Sequence, residues 1–190
     1  MLGNRTHTCG ELTEESVNKK VVLKGWISKV RDLGSVVFAD LRDRYGKTQL
    51  VFSADINLDS FNSSKKLSLE DVIGIEGKVI SRPEEAKNKK TLTGCIDIEV
   101  LSVYIYNKSL TPPFDINDRQ SAMEDHRLKY RYLELRTQEL QENLVMRHKA
   151  AMLTRNFLSS HNFLEIETPI LMKSTPEGAR DFLVPSRLHK

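Results

Sequence analysis

Up to Tyr106 the apolar residues come in short alternating bursts rich in Val and Ile, set apart by Gly and charged residues. Period-2 alternation marks strands with one buried face. It predicts five of them, over 21–30, 35–42, 48–52, 72–80 and 96–106. Between the third and fourth lies a stretch, 58–69, with room for a short helix. Gly46, in the tight link between the second and third strands, is expected to supply a positive φ. From 121 to 161 the sequence has no Gly or Pro and the spacing turns helical, predicting helices over 123–136 and 138–161. In the second helix Leu140, Leu144, Ala151 and Leu158 recur at steps of four and seven, and Val145 with Met152 widens the stripe. Asn162 is the expected left-handed stop. Short strands are predicted over 163–166, before Pro169, and over 182–184.

Between the two textures lie Pro112 and Pro113, which block helix and central strand alike, so 110–117 reads as a stiff connection. The expected division is 1–109, a linker over 110–120, and a second domain over 121–190. Three strands, a helix and two more strands is the order of an OB barrel. A small SH3-like barrel would have no helix at that point. The predicted fold class is therefore a five-stranded OB barrel followed by the helical opening of an α/β domain.

Alternation also predicts which side chains leave the core. Val37, Ala39 and Leu41 form one face of the second strand, which puts Phe38, Asp40 and Arg42 on the other. Leu50 and Phe52 point inward and Gln49 outward. Ile96, Ile98 and Val100 point inward, leaving Asp97 and Glu99 outside. An exposed aromatic, an amide and carboxylates thus share one surface, with Arg31 and Lys29 near its edge. Such a surface suits single-stranded nucleic acid: a ring stacks a base, amide and carboxylate read its edge, and arginine holds phosphate. The residues alone leave packing open for Phe38, solvation for Gln49 and an ion pair with Asp32 for Arg31.

Composition narrows the classes without choosing among them. Lys and Arg number 29 against 26 Asp and Glu, a net charge of +3 that excludes a polybasic coat but not a local basic face. No apolar run approaches the ~20 residues of a membrane span. The opening residues lack the apolar segment of a secretory signal, so a cytoplasmic protein is expected. Cys9 and Cys95 lie far apart and are expected to be free thiols. The histidines are scattered and the phosphate-loop and nucleophile motifs are absent, so no metal site is expected. Glu177 and Arg180, in the Gly- and Pro-containing stretch 174–182, have the charges to hold the two ends of a zwitterion.

Arg31-Asp32-Leu33-Gly34-Ser35, with Phe38 and Asp40-Leu41-Arg42-Asp43, resembles the anticodon-binding OB domain of bacterial aspartyl-tRNA synthetases. The block from Arg127 to Arg136, and Thr175-Pro176-Glu177-Gly178-Ala179-Arg180-Asp181-Phe182 with its continuation to Arg187, resemble the same family. His161 to Leu171, with Glu167-Thr168-Pro169, is similar to the first class II motif, a helix and strand at the dimer interface and edge of an antiparallel-sheet catalytic domain.

The resemblance implies an aspartate–tRNA ligase that uses ATP and Mg²⁺. Phe38 then matches the base-stacking ring, Gln49 a base-reading amide and Arg31 a tRNA contact. Arg82 and Asn88 fall in the loop that meets the anticodon. Asp97 sits where the family has a base-reading glutamate, with Glu99 as the other candidate. Glu177 matches the acid that engages the ammonium group of bound aspartate. Leu33 resembles the loop of enzymes restricted to aspartate tRNA. The expected partners are aspartate tRNA, aspartate and ATP, and a second copy through the 138–161 helix. The later class II motifs are not in these residues, so this chain is expected to hold no complete catalytic set, to bind neither ATP nor Mg²⁺ and to be inactive alone. A stand-alone OB-fold RNA-binding module and an asparagine- or lysine-specific class II synthetase are the alternatives.

Overall fold

The computed structural model describes residues 2–89, 91–173 and 182–188. Five strands, β1 (Lys20–Asp32), β2 (Val36–Arg42), β3 (Lys47–Ser53), β4 (Val72–Ser81) and β5 (Ile96–Asn107), lie within a few residues of the alternating bursts. They close on themselves in the order β1-β2-β3-β5-β4. Every neighbouring pair is antiparallel except β3 and β5, which meet in parallel over Leu50↔Ile98 and Val51↔Glu99. The helix α1 (Leu58–Ser64) connects β3 to β4 along the chain and packs on β3 and β5, and the Asn57 side chain caps it by accepting from the Ser60 amide.

The core is the inward half of each alternation. Val37, Ala39, Leu41, Leu50, Phe52, Ile96, Ile98 and Val100 are buried together with Leu23, Ile27, Ile73 and Ile75. A bulge in β1 between Ile27 and Lys29 resets the alternation, so Lys29 and Arg31 face outward beyond it. In the β1–β2 loop Gly34 takes φ +88° and donates to the Asp32 carboxylate. Gly46 differs from expectation: its φ is not positive. The reason for a glycine there is close approach, because a Cβ on Gly46 would lie 2.7 Å from the Gly10 Cα. Asp43 holds the same turn, accepting from the amides of Cys9, Tyr45 and Gly46. Cys9 and Cys95 are both free, and burial together with the Asp43 carboxylate drives the Cys9 thiol upward.

The chain forms two compact units, residues 1–138 and 139–190. The first includes the proline-bearing connection, whose Phe114 and Ile116 are buried. Asp71 accepts from Lys108 and the Ser109 amide, and Asn117 donates to the Ser28 carbonyl. Past it, the predicted helix 123–136 is broken into α2 (Glu124–Lys129) and α3 (Arg131–Glu134), because Tyr130 leaves helical geometry at φ −109°, ψ 44°. Two carboxylates anchor this stretch. Glu134, 1% exposed, is surrounded by Arg119, Arg127 and Arg131. Glu70, in the left-handed region at φ 66°, takes Arg42 and Arg136, and the Arg136 guanidinium lies 4.7 Å from the Trp26 ring.

The second unit is built on α4 (Gln138–Ser160), with the residues C-terminal to that helix. Asn162 has φ 65°, and its amide donates to the Ser159 carbonyl while that of Phe163 donates to Leu158. This is the Schellman stop that ends a helix with a left-handed residue. No side chain of α4 is buried. The strands expected over 163–166 and 182–184 are absent, since no ladder forms there among the described residues. An extended segment without a neighbour leaves its amides and carbonyls to water. Glu177 lies outside the described residues.

Candidate nucleic-acid interface

Strand register arranges the outward side chains in two rows. Lys29 stands opposite Asp40, and Asp40 opposite Gln49. Two residues along, Arg31 stands opposite Phe38, Phe38 opposite Val51, and Val51 beside Glu99. The second row is thus Arg31–Phe38–Val51–Glu99. The first continues from Gln49 to Asp97 through one guanidinium. Arg82 donates from Nε to Asp97 at 2.7 Å and from its terminal nitrogen to the Gln49 side-chain oxygen at 3.0 Å.

Each group is placed by something local. Arg31 sits 5.8 Å from the Phe38 ring, a cation–π distance that leaves the ring half-exposed beside a positive charge. The loop after Arg82 folds back on itself, the Asn88 amide donating to the Gly94 carbonyl. A Cβ on Gly94 would lie 2.0 Å from the Asn88 carbonyl oxygen, so that closure requires glycine. The Thr93 hydroxyl then pins the loop to the Lys47 carbonyl at 2.6 Å, and Lys87 holds its other side through Glu14 and Glu84. Arg82 and Asn88 are thereby fixed over β3. A cleft of about 220 Å³ opens among Arg31, Asp40, Gln49, Arg82, Asn88 and Thr93. A wider one of about 800 Å³ runs toward the 109–117 segment and shares Lys29, Asp40 and Lys47 with the first.

Asp97 departs from the exposed carboxylate that alternation predicts. It is only 7% exposed, covered by Arg82 and the loop. Burial pushes its carboxyl above the ordinary value, against the pull of the Arg82 hydrogen bond, and the nearby Asp40 charge raises it further. Glu99 lies in the Phe38 row, half-buried and cross-strand from Lys78. Six of the expected RNA-contact residues therefore border one surface, in two rows, and Asn88 closes its edge. Asp40, Lys29 and Lys47 complete the clefts. The signal for Asp40 was its place two residues from Phe38 on the same strand face. The Arg127–Arg136 block does not reach this surface; its arginines hold Glu134 and Glu70.

Residues 21–110 match the OB-fold nucleic acid binding domain family and residues 123–190 the family of class II tRNA synthetases (D, K and N). An aspartate–tRNA ligase of Halalkalibacterium halodurans is 51% identical over 189 residues, 100% of this chain and 32% of the relative. One from Thermosipho melanesiensis is 53% identical over 186 residues, 98% and 31% of the two chains. An aspartate–tRNA(Asp/Asn) ligase of Thermoanaerobacter pseudethanolicus is 51% identical, covering 97% of this chain and 31% of its own. The asparaginyl-tRNA synthetase of Pyrococcus horikoshii superposes with TM-score 0.75 at 26% identity, over 87% of this chain and 38% of that one. A putative aspartyl-tRNA synthetase from Leishmania major shares the fold at TM-score 0.80 and 23% identity, over 92% and 36%.

An OB-type sheet followed by a class II segment defines the class as class II tRNA synthetases with an OB domain. Within that class the chain belongs to the bacterial aspartyl-tRNA synthetase family. It spans about a third of the length of the curated relatives it matches.

Proposed function

We propose that the face built on β1, β2, β3 and β5 binds the anticodon loop of an aspartate tRNA, in an enzyme that joins aspartate to that tRNA with ATP and Mg²⁺. The observation that carries the reading is the Arg82 bridge between Gln49 and Asp97, beside the Arg31–Phe38 pair. Phe38 stacks a base, Gln49 reads an edge, Arg31 and Asn88 meet the backbone, and Arg82 with Asp97 holds Gln49 in place. Of the two acidic candidates, Asp97 is buried and engaged by Arg82, and Glu99 is the more exposed, in the same row as Phe38 with Val51 between them. The relatives' names favour this ligase over a stand-alone RNA-binding module or an asparagine- or lysine-specific enzyme. They include both aspartate–tRNA and aspartate–tRNA(Asp/Asn) ligases. Restriction to aspartate tRNA is proposed from the resemblance of the Leu33 loop alone.

Among the described residues no group of three or more His, Cys, Asp or Glu fits a metal ion, so no step is assigned to Mg²⁺ on these side chains. Glu177 is assigned to the aspartate ammonium group by its motif alone. The α4 helix is proposed as a dimer element. Its apolar residues form two stripes, Leu140, Leu144, Ala151, Leu158 and, around the helix, Met146, Leu153, Phe157, and a helix apolar on two sides needs two covering surfaces. One stripe then faces its own domain and the other a second copy. No helix among the described residues is long and apolar enough to cross a membrane, and a cytoplasmic location is proposed from the relatives' class.

The deciding experiment titrates the chain with RNA stem-loops that differ only in the anticodon. Preference for the aspartate anticodon, lost on Gln49→Ala, is the expected result. Equal affinity for all loops overturns the reading.

A further inference from the structure

Asp40 sits at the centre of the first row, between Lys29 on β1 and Gln49 on β3, and its side chain borders both clefts. Its backbone carbonyl accepts from the Ser28 hydroxyl. Among the described residues, however, its carboxylate receives no hydrogen bond and stands in no ion pair, unlike Asp43, Asp71 and Asp97 nearby. An ionised carboxylate is an acceptor only. On a face that must tolerate phosphate, it adds repulsion unless it meets a donor. Gln49 beside it shows the opposite polarity. Its oxygen accepts from Arg82, which leaves its NH₂ as a donor with no hydrogen-bond partner among the described residues. Residues directly opposite on antiparallel strands have Cβ atoms ~5 Å apart. A donor and an acceptor therefore lie side by side across β2 and β3, complementary to an acceptor next to an amino group.

We infer that Asp40 is a base-reading residue of this surface, accepting from the exocyclic amino group of one anticodon-loop nucleotide whose adjacent ring or carbonyl acceptor is met by Gln49. This inference rests on the anticodon-loop reading. It makes Asp40 a specificity-determining contact, and it makes Arg82 a positioning residue that selects which end of the Gln49 amide the base meets.

The test is a thermodynamic cycle on the 190-residue chain. Each loop nucleotide of an aspartate-anticodon stem-loop is replaced in turn by an analogue lacking only its amino group: inosine for guanosine, purine riboside for adenosine, pyrimidin-2-one riboside for cytidine. Titrations are run with the unsubstituted chain, Asp40→Ala and Asp40→Asn. The expected result is a single nucleotide at which amino deletion weakens the unsubstituted chain roughly tenfold and leaves Asp40→Ala unchanged, the size of one hydrogen bond to a charged group. Asp40→Asn, which keeps one oxygen and the side-chain shape, falls between the two and carries the cycle should the alanine variant unfold. Equal weakening of every loop by Asp40→Ala, tighter binding of every loop, or coupling to a 2′-deoxy replacement in place of an amino deletion each overturns the assignment. The two readings fail differently. A chain that binds no stem-loop, or all alike, removes the anticodon-loop reading and this inference with it. A chain that prefers its anticodon through Phe38 and Gln49 but lacks the Asp40 coupling removes only the inference.

Discussion

Val37 and Phe38 are neighbours in β2 with opposite environments. Val37 is fully buried in the ring of strands, while Phe38 lies half-exposed under the Arg31 guanidinium. Phe38→Ala should cost roughly 1–3 kcal/mol of stem-loop binding, the range for losing one base–aromatic stack, and leave thermal unfolding nearly unchanged. Val37→Ala should cost roughly 2 kcal/mol of stability through lost buried contacts and leave binding of the folded protein intact. Unfolding and binding titrations on the two variants check both, and exchanged effects would refute the two-row face. Arg82→Lys should flatten discrimination among anticodons with little loss of stability, because an ammonium lacks the planar fork that serves Gln49 and Asp97 together. The inside–outside order of these positions was legible because a strand with one buried face leaves alternation no freedom. What alternation did not carry was the burial of Asp97, whose cover comes from Arg82 and its loop. Gly46 is a related case: the turn does require glycine, but the constraint is the Gly10 backbone and not the sign of φ.

At the scale of elements, the five strands were readable to within a few residues, and the stretch from 110 to 138 was not. Its organisation depends on ion pairs that no local pattern announces: Arg136 meets Glu70 from 66 positions away, and three arginines converge on Glu134. Glu134→Ala should leave those guanidiniums without their shared acceptor. A cost of roughly 3 kcal/mol is expected, the low end for breaking a buried pair, because each arginine keeps a path to water. Hydrogen exchange should register it in α2 and α3, with the strands of the ring still protected. Burial alone would push the Glu134 carboxyl upward, but the hydrogen bonds from Arg119 and Arg131 outweigh it and hold it below the ordinary carboxylate value. A depressed folded-state value stabilises above the unfolded one, roughly 4.3, and the contribution is lost as pH falls through the lower value. Protection of α2 and α3 should accordingly persist at neutral pH and fade only in acid, and fading near pH 7 would contradict the assignment. Asp97 has the opposite sign: its raised carboxyl stabilises most below the unfolded value, and that contribution declines as pH rises through the folded one.

For the whole molecule, a net charge of +3 supplies too weak a field to hold RNA at a distance, so binding must come from cations placed at the surface itself. Lys29 and Lys47 are the two exposed lysines at the border shared by both clefts, and neither makes an ion pair among the described residues. On the proposed anticodon-loop reading, each would neutralise one phosphate of a strand passing from the smaller cleft to the larger. Neutralising a phosphate releases condensed counterions, and the logarithm of affinity then falls with the logarithm of salt by about 0.7 per contact for single strands. Lys29→Gln with Lys47→Gln should therefore lower the salt slope by about 1.4 and weaken aspartate and non-aspartate anticodon loops by the same factor. Phe38→Ala should do the reverse, weakening binding at every salt concentration with the slope unchanged, since a stack releases no ions. Titrations of both variants at four or five salt concentrations separate the roles. A lysine pair whose removal changes anticodon preference while leaving the slope unaltered would place those side chains on base edges, and the strand path between the clefts would have to be redrawn.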